Sequence, residues 1–429
     1  MNVLIINDNA QINGGAAKLA IVNARDLANR GHNVFFLCAV LPVCPELMSH
    51  PRIKVFCSEQ FEILTDPNRA RAFAQGWWNP TAGKLAEKLL ASLDAKDTII
   101  HLHTWAKALS SSVMKAAYLA GFPIVCTLHD FILACPTGTL FNHLNQSICQ
   151  LAPMSFPCVR SNCDTRNYGH KLWRVGRQAI QKRVGLLPCG VSAFIAHTQL
   201  VSRIMKPYLP VGAHIHHLPA YIESTQEPPA STAEQRDFVY MGRLVREKGV
   251  VMLARAAKTE GIALKFVGSG PLAGEIAVEN ADARITGWVT RGEGVQHLRQ
   301  CRALVFPSIW YETLGLVVLE AASQGVASIV PDISAASEFV VDGVTGLYFR
   351  NGDEQDLRKQ LRRLRDDPEL AGRLGHAAYH RFWESEYHSR TIYCDSLESI
   401  YLSTIRHKRS ASHEATTAKP REELHDVRI

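Results

Sequence analysis

Short apolar runs alternate along this chain with longer stretches whose apolar positions recur every three or four residues. In the first half the runs are Val3–Ile6, Val34–Cys38, Thr98–Leu102, Ile124–Leu128 and Val191–Ala196. In the second half they are Phe238–Met241, Leu264–Val267, Ala303–Phe306 and Val326–Val330. Each has the length and composition of a buried strand. Between them, sets such as Ala17, Leu19, Ala20, Val22 and Leu27, or Leu314, Val317, Val318, Ala321 and Ala322, have helical spacing. Strand and helix in alternation predict an α/β fold: doubly wound parallel sheets with helices on both faces, in a chain long enough for two domains. The polar, proline-bearing segment 223–236 reads as the linker. Residues 1–222 then form the first domain, with a cysteine-containing insertion at about 134–165, and 237–380 the second. Residues 381–405 read as a last helix, and 406–429 as a polar tail without fixed structure.

In a strand–loop–helix unit, ligands gather beyond the carboxyl end of the strand, where the helix's first amides favour an anion. Four places therefore stand out. Gly14-Gly15 opens the first helix, although no GxGxxG follows the strand. His103 and His129 fall at strand ends, each open to a purely structural reading. Arg243 and Lys248 are bracketed by Gly242 and Gly249, so both can turn toward one anion, or form an ordinary surface pair. Glu312 precedes the helix expected from about Thr313, and Glu320 lies eight residues on. At about 1.5 Å of rise per residue the two carboxylates stand on the order of 10 Å apart, suited to opposite ends of an extended ligand or to two solvated positions.

Composition narrows the class. Hydrophobic residues make up 47% and charged ones 20% of 429 residues, which fits a globular protein. No apolar run approaches the ~20 residues of a spanning helix, and MNVLIINDN reads as a first strand rather than a signal peptide. A cytoplasmic protein with reduced cysteines is expected. The net charge of +7 is concentrated between Arg160 and Arg183. There, Gly169–Val184 reads as an amphipathic helix with Leu172, Val175, Ala179 and Ile180 inward. Lys171, Arg174, Arg177 and Lys182 would face out, either simply solvated or toward an anionic inner membrane surface or a pyrophosphate-linked acceptor. No nucleic-acid-binding module is present. Cys135, Cys149, Cys158 and Cys163 are either buried free thiols or, lacking any CxxC knuckle, a widely spaced zinc set.

The order of motifs resembles a known family. Gly242-Arg243-Leu244-x-x-Glu247-Lys248-Gly249, Phe306-Pro307-Ser308, Glu312-x7-Glu320 and Asp342-Gly343-x-Thr345-Gly346 resemble the family-4 retaining glycosyltransferases (glycosyl transferases group 1), as does Thr127-Leu128-His129-Asp130. The resemblance implies the GT-B architecture, in which two doubly wound, Rossmann-like domains face each other across a cleft and the last helix, 381–405, packs back on the first domain. It also implies metal-independent transfer of a sugar from a nucleotide diphosphate, UDP- or GDP-linked. The acceptor would be a glycan or lipid-linked hydroxyl in cell-surface polysaccharide synthesis. It implies that Arg243, Lys248 and the amides of Thr313, Leu314 and Gly315 hold the diphosphate, and that Glu320 holds the ribose. Glu312 and His129 would meet the transferred sugar, Gly14 and Gly15 would lie beside the phosphates and acceptor, and Arg284–Val289 would line the base. No metal or other cofactor is expected, and no Asp-x-Asp motif is present to hold one. Ser269, Ser334 and Ala335 depart from the family pattern, the last two replacing glycines and leaving that loop's conformation open. A sugar-nucleotide epimerase and an inactive sugar-nucleotide-binding subunit are the alternatives.

Overall fold

The computed structural model describes residues 1–417. The first domain is built on a seven-stranded sheet of β1 (Asn2–Ile6), β2 (Asn33–Cys38), β3 (Ile53–Cys57), β4 (Thr98–Leu102), β5 (Ile124–Thr127), β6 (Ala193–Ala196) and β7 (Ile215–His217), in the order β3-β2-β1-β4-β5-β6-β7. The second has six strands, β8 (Phe238–Met241), β9 (Leu264–Val267), β10 (Arg284–Ile285), β11 (Ala303–Val305), β12 (Ser328–Pro331) and β13 (Gly346–Phe349), in the order β10-β9-β8-β11-β12-β13. All pairings within both sheets are parallel. Both faces of each sheet are covered. Along β1, Leu4 and Ile6 belong to one buried cluster while Val3 and Ile5 belong to the cluster on the other face.

Strand order reverses between β1 and β4 in the first sheet and between β8 and β11 in the second. A crevice opens at such a switch point because the adjoining loops depart to opposite faces. The loops after β1, β4, β8 and β11 carry Gly14-Gly15, His103, Arg243 with Lys248, and Glu312, so the topology turns distant stretches of chain toward one cleft.

Helices that border the cleft or brace its walls include α1 (Gly15–Asn29), α2 (Tyr168–Arg183), α3 (Gln199–Met205), α4 (Leu316–Ser323) and α5 (Arg390–Thr417). The chain leaves the second domain through Pro368–Glu384, and α5 then buries Tyr393, Leu397, Ile400, Tyr401 and Ile405 in the first domain's core. Tyr401 hydroxyl meets His101 Nδ1 at 2.6 Å, inside that core. The expected structureless tail from 406 is corrected here, because α5 runs on through Thr417; residues 418–429 of that expectation lie outside the described residues.

The face of α2 is also corrected. Leu172, expected inward, is exposed, while Lys171, Arg177, Gln178 and Gln181 are buried. The reason is the irregular backbone that α2 covers. Gln181 Nε2 donates to the Ile132 carbonyl (3.2 Å) and Gln178 Nε2 to that of Leu133 (3.1 Å). Arg177 donates to the carbonyls of Ala106 and Pro136, each at 3.2 Å. A buried loop without a ladder needs such partners, so polar side chains face the interior.

Candidate active site

At the end of β8 the chain turns through Gly242–Gly249 and packs on the exit of β11. Gly249 has φ 65°, and a Cβ there would stand 2.0 Å from the Pro307 carbonyl oxygen. This close approach brings Lys248 to Glu312, and the two form an ion pair. The same carboxylate accepts from Trp310 Nε1 (3.1 Å) and Ser308 Oγ (3.2 Å). Burial pushes the Glu312 carboxyl up, but the ammonium and the two further donors outweigh it and hold the group below its ordinary range. Glu312 is thus a buried, ionised carboxylate, and Lys248 is fixed beside it over the Phe306 and Trp310 rings (5.5 and 5.9 Å). Arg243 lies exposed on the same loop. The spacing of the motifs gave no indication that Lys248 and Glu312 pair.

Helix α4 begins at Leu316 rather than near Thr313, and its N-cap, Gly315 (φ 78°), makes no side-chain cap hydrogen bond. Thr313, Leu314 and Gly315 are half-buried at the cleft. The helix's leading amides and dipole therefore point where an anion is favoured. Ser334 and Ala335 do not distort this wall: Ser334 has φ −122°, its Oγ accepts from the Ala336 amide at 3.2 Å, and Ala335 donates to the Glu312 carbonyl at 3.3 Å.

The first domain supplies the facing wall. A Cβ built on either Gly14 or Gly15 would have no neighbour within 4 Å, so the start of α1 opens onto free space. In its first turn Lys18 reaches Glu320 across the cleft at 3.7 Å, with side chains 35% and 25% exposed. A long, solvated pair of this kind contributes about 0–1 kcal/mol, so Glu320 can exchange it for another partner. Asp8, after β1, accepts from the amides of Lys107, Ala108 and Leu109 at 2.9–3.0 Å and fixes the loop after β4.

His129 sits half-buried at the carboxyl end of β5, with its Nε2 2.8 Å from His103 Nδ1. The His103 ring lies tilted against that of His101 (ring centroids 4.0 Å), and the His197 ring centroid lies 6.1 Å from that of His129. Burial, reinforced by the neighbouring imidazoles, drives His103 and His129 well below the usual value, and burial leads in lowering His101 to about 3 and His197 to about 4. All four are neutral at physiological pH. His129 thus presents a fixed, uncharged ring edge rather than a titrating one.

Besides Lys18–Glu320, hydrogen bonds join the walls. Thr313 Oγ1 donates to the His129 carbonyl (3.0 Å), and Thr198 Oγ1 to the Thr313 carbonyl (3.3 Å). Glu338 accepts the Gln199 and Leu200 amides, the first two of α3, at 2.8 and 2.6 Å. Sequence reasoning did not find Lys18 or Asp8, and it noted Glu338 only as the glutamate that keeps the family pattern after Ser334 and Ala335, without a role. Each meets a partner from a distant stretch of chain, which local spacing does not reveal.

The basic surface expected on α2 is not there. Lys171 and Arg177 are buried, Arg174 is paired with Asp164 (2.8 Å), and of the four only Lys182 is exposed. Each of the other three is consumed by an internal partner. The zinc alternative is not supported either: among the described residues no group of histidines, cysteines or carboxylates is arranged to hold a metal. The Lys171 ammonium occupies the thiol cluster instead, 3.1 Å from Cys163 Sγ and 3.6 Å from Cys158 Sγ. No helix among the described residues is long and apolar enough to cross a membrane.

Residues 222–381 match the family described as Glycosyl transferases group 1. Over 415 residues the chain is 25% identical to a glycogen synthase of Mycobacterium tuberculosis, covering 89% of each protein. It is 35% identical over 144 residues to the lipopolysaccharide core biosynthesis glycosyltransferase LpsD of Rhizobium meliloti, covering 32% of this chain and 41% of that one. Among solved structures, sucrose-phosphate synthase of Thermosynechococcus elongatus superposes with TM-score 0.69 at 17% identity, over 94% of this chain and 98% of that one. HepE of Anabaena, solved with UDP and glucose, gives 0.64 at 15% identity, over 94% and 100%. The fold is GT-B, and the domain match with these likenesses supports a glycosyltransferase.

Proposed function

We propose that this chain, a GT-B protein carrying a glycosyl transferases group 1 domain, is a retaining, metal-independent glycosyltransferase. It takes a sugar from a UDP- or GDP-linked donor to a hydroxyl of a glycan or lipid-linked acceptor in polysaccharide synthesis. The observation that carries this reading is the Lys248–Glu312 ion pair beside the uncapped start of α4, facing the open start of α1. A fixed cation and the start of a helix lie on one wall, and the open start of α1 on the other, which is the kind of environment that favours a diphosphate.

In this reading the diphosphate lies between Arg243, Lys248 and the amides of Thr313–Gly315. Departure of the sugar leaves added negative charge on the phosphate oxygens, and these fixed donors stabilise it without reorganising. Glu312, already ionised, lies beside that position and can accept from a sugar hydroxyl or face the positive charge that develops at the anomeric carbon. Glu320 exchanges Lys18 for the ribose diol. His129, neutral and held by His103, offers a hydrogen bond to the sugar. The base lies near the bridge between Gly268 and Gly287, where Trp288 is exposed. Contacts between the walls close the cleft and limit transfer to water. Polysaccharide synthesis rests on relatives such as LpsD and the Staphylococcus aureus capsular glycosyltransferase CapM, 27% identical over 177 residues.

A screen of nucleotide sugars for release of nucleoside diphosphate, with and without chelator and with glycan acceptors, tests the reading. Diphosphate release that persists with chelator is expected, and the product should keep the donor's anomeric configuration by NMR. Conversion of the donor without diphosphate release would indicate an epimerase. Binding without turnover of any donor would indicate an inactive subunit.

A further inference from the structure

Lys171 is fully buried in the first turn of α2, where the helix dipole already disfavours a cation. A buried ammonium requires an anion. The nearby carboxylate of Asp164 is occupied by Arg174 at 2.8 Å. The groups in contact with Lys171 Nζ are the thiols of Cys163 at 3.1 Å and Cys158 at 3.6 Å, themselves buried. Burial pushes the Cys163 thiol up, against the pull of the ammonium beside it. The charge balances in the fraction where Cys163 is a thiolate, and a thiolate is the form that peroxide oxidises.

We propose that Lys171 and Cys163 form an oxidant-sensitive pair that hydrogen peroxide joins through a covalent N–O–S link. In the first step the Cys163 thiolate attacks one peroxide oxygen, the O–O bond breaks, and Cys163 becomes a sulfenic acid. The hydroxide released takes a proton from the Lys171 ammonium, leaving water and a free amine. In the second step the amine's N–H and the sulfenic O–H break and an N–O bond forms. A second peroxide accepts the two hydrogens and two electrons as two waters. The amine and the sulfur are already at contact distance, so the link forms with little movement of either backbone.

The link would tie the loop-rich segment between Phe131 and Asn167 to α2. That helix holds the backbone just after His129 through Arg177, Gln178 and Gln181. Oxidation therefore braces one wall of the cleft from behind.

The full chain, treated with hydrogen peroxide and digested with trypsin, tests this. Residues 161–166 and 167–174 should appear as one joined species with one oxygen gained and two hydrogens lost. Cleavage after Lys171 should disappear and return on dithiothreitol, and Tm should rise and fall with it. Cys163→Ser and Lys171→Arg should each lose the species while Cys158→Ser keeps it. Because the first two variants alter a buried pair, the wild-type digest decides alone if they do not fold. A Cys158–Cys163 disulfide, Cys163 sulfinic acid without a cross-link, unmodified peptides after peroxide, or stoichiometric zinc in the purified protein would each overturn the proposal.

Discussion

Thr313, in the loop just before α4, donates its hydroxyl to the backbone carbonyl of His129 at 3.0 Å, although the two are 184 residues apart. The contact joins the wall proposed to hold the diphosphate to the strand end proposed to meet the sugar. Closure of the cleft and alignment of the site are therefore one event.

Glu338 extends the same linkage by capping α3 from the opposite domain. Glu338→Ala strips two helix amides of a charged acceptor and should weaken closure by about 1–2 kcal/mol. Small-angle scattering should show a more open molecule. Donor hydrolysis should rise relative to transfer.

Removing Lys248 leaves Glu312 buried with only Trp310 and Ser308. Lys248→Met should cost about 3–5 kcal/mol of stability, as breaking one side of a buried pair does, and lower turnover on the order of 100-fold. With the ammonium gone the Glu312 carboxyl rises, so the acidic limb of the pH–rate profile should move toward neutral pH. Chemical denaturation and a pH–rate series check both effects.

The histidine cluster sets a pH dependence of stability. Folded His101 and His197 titrate near 3 and 4, and His103 and His129 are also strongly depressed, so the unfolded chain binds more protons as soon as pH drops below about 6.5. Stability is complete above that value and falls with acidification, by roughly 2 kcal/mol each for His101 and His197 between pH 6.5 and 5, with His103 and His129 acting in the same direction. A Tm series over that range should slope steeply, and His101→Asn should flatten it.

The two sheets were legible because buried parallel strands are short apolar runs. Phe238–Met241 and Leu264–Val267 are observed with the bounds read from the sequence, and Thr98–Leu102 likewise. Helix α2 misled because its periodicity was read as apolar-inward, whereas an irregular loop lies beneath it and rewards buried amides and a guanidinium. The motifs located the loops of the site without showing how their charges pair. Lys248 with Glu312 and Lys18 with Glu320 are set by tertiary approach, and Glu338 finds α3 only when the domains face each other. Local spacing holds no record of such encounters.

The proposed chemistry needs one diphosphate held by Arg243, Lys248 and the start of α4. Calorimetric titration of UDP and GDP into the wild type and Arg243→Ala measures it directly. Wild-type binding of one of the two, weakened at least about tenfold in the variant while the fold is unchanged by circular dichroism, is the predicted result. Equal affinity in both proteins, or no binding of either nucleotide to the wild type, would contradict it.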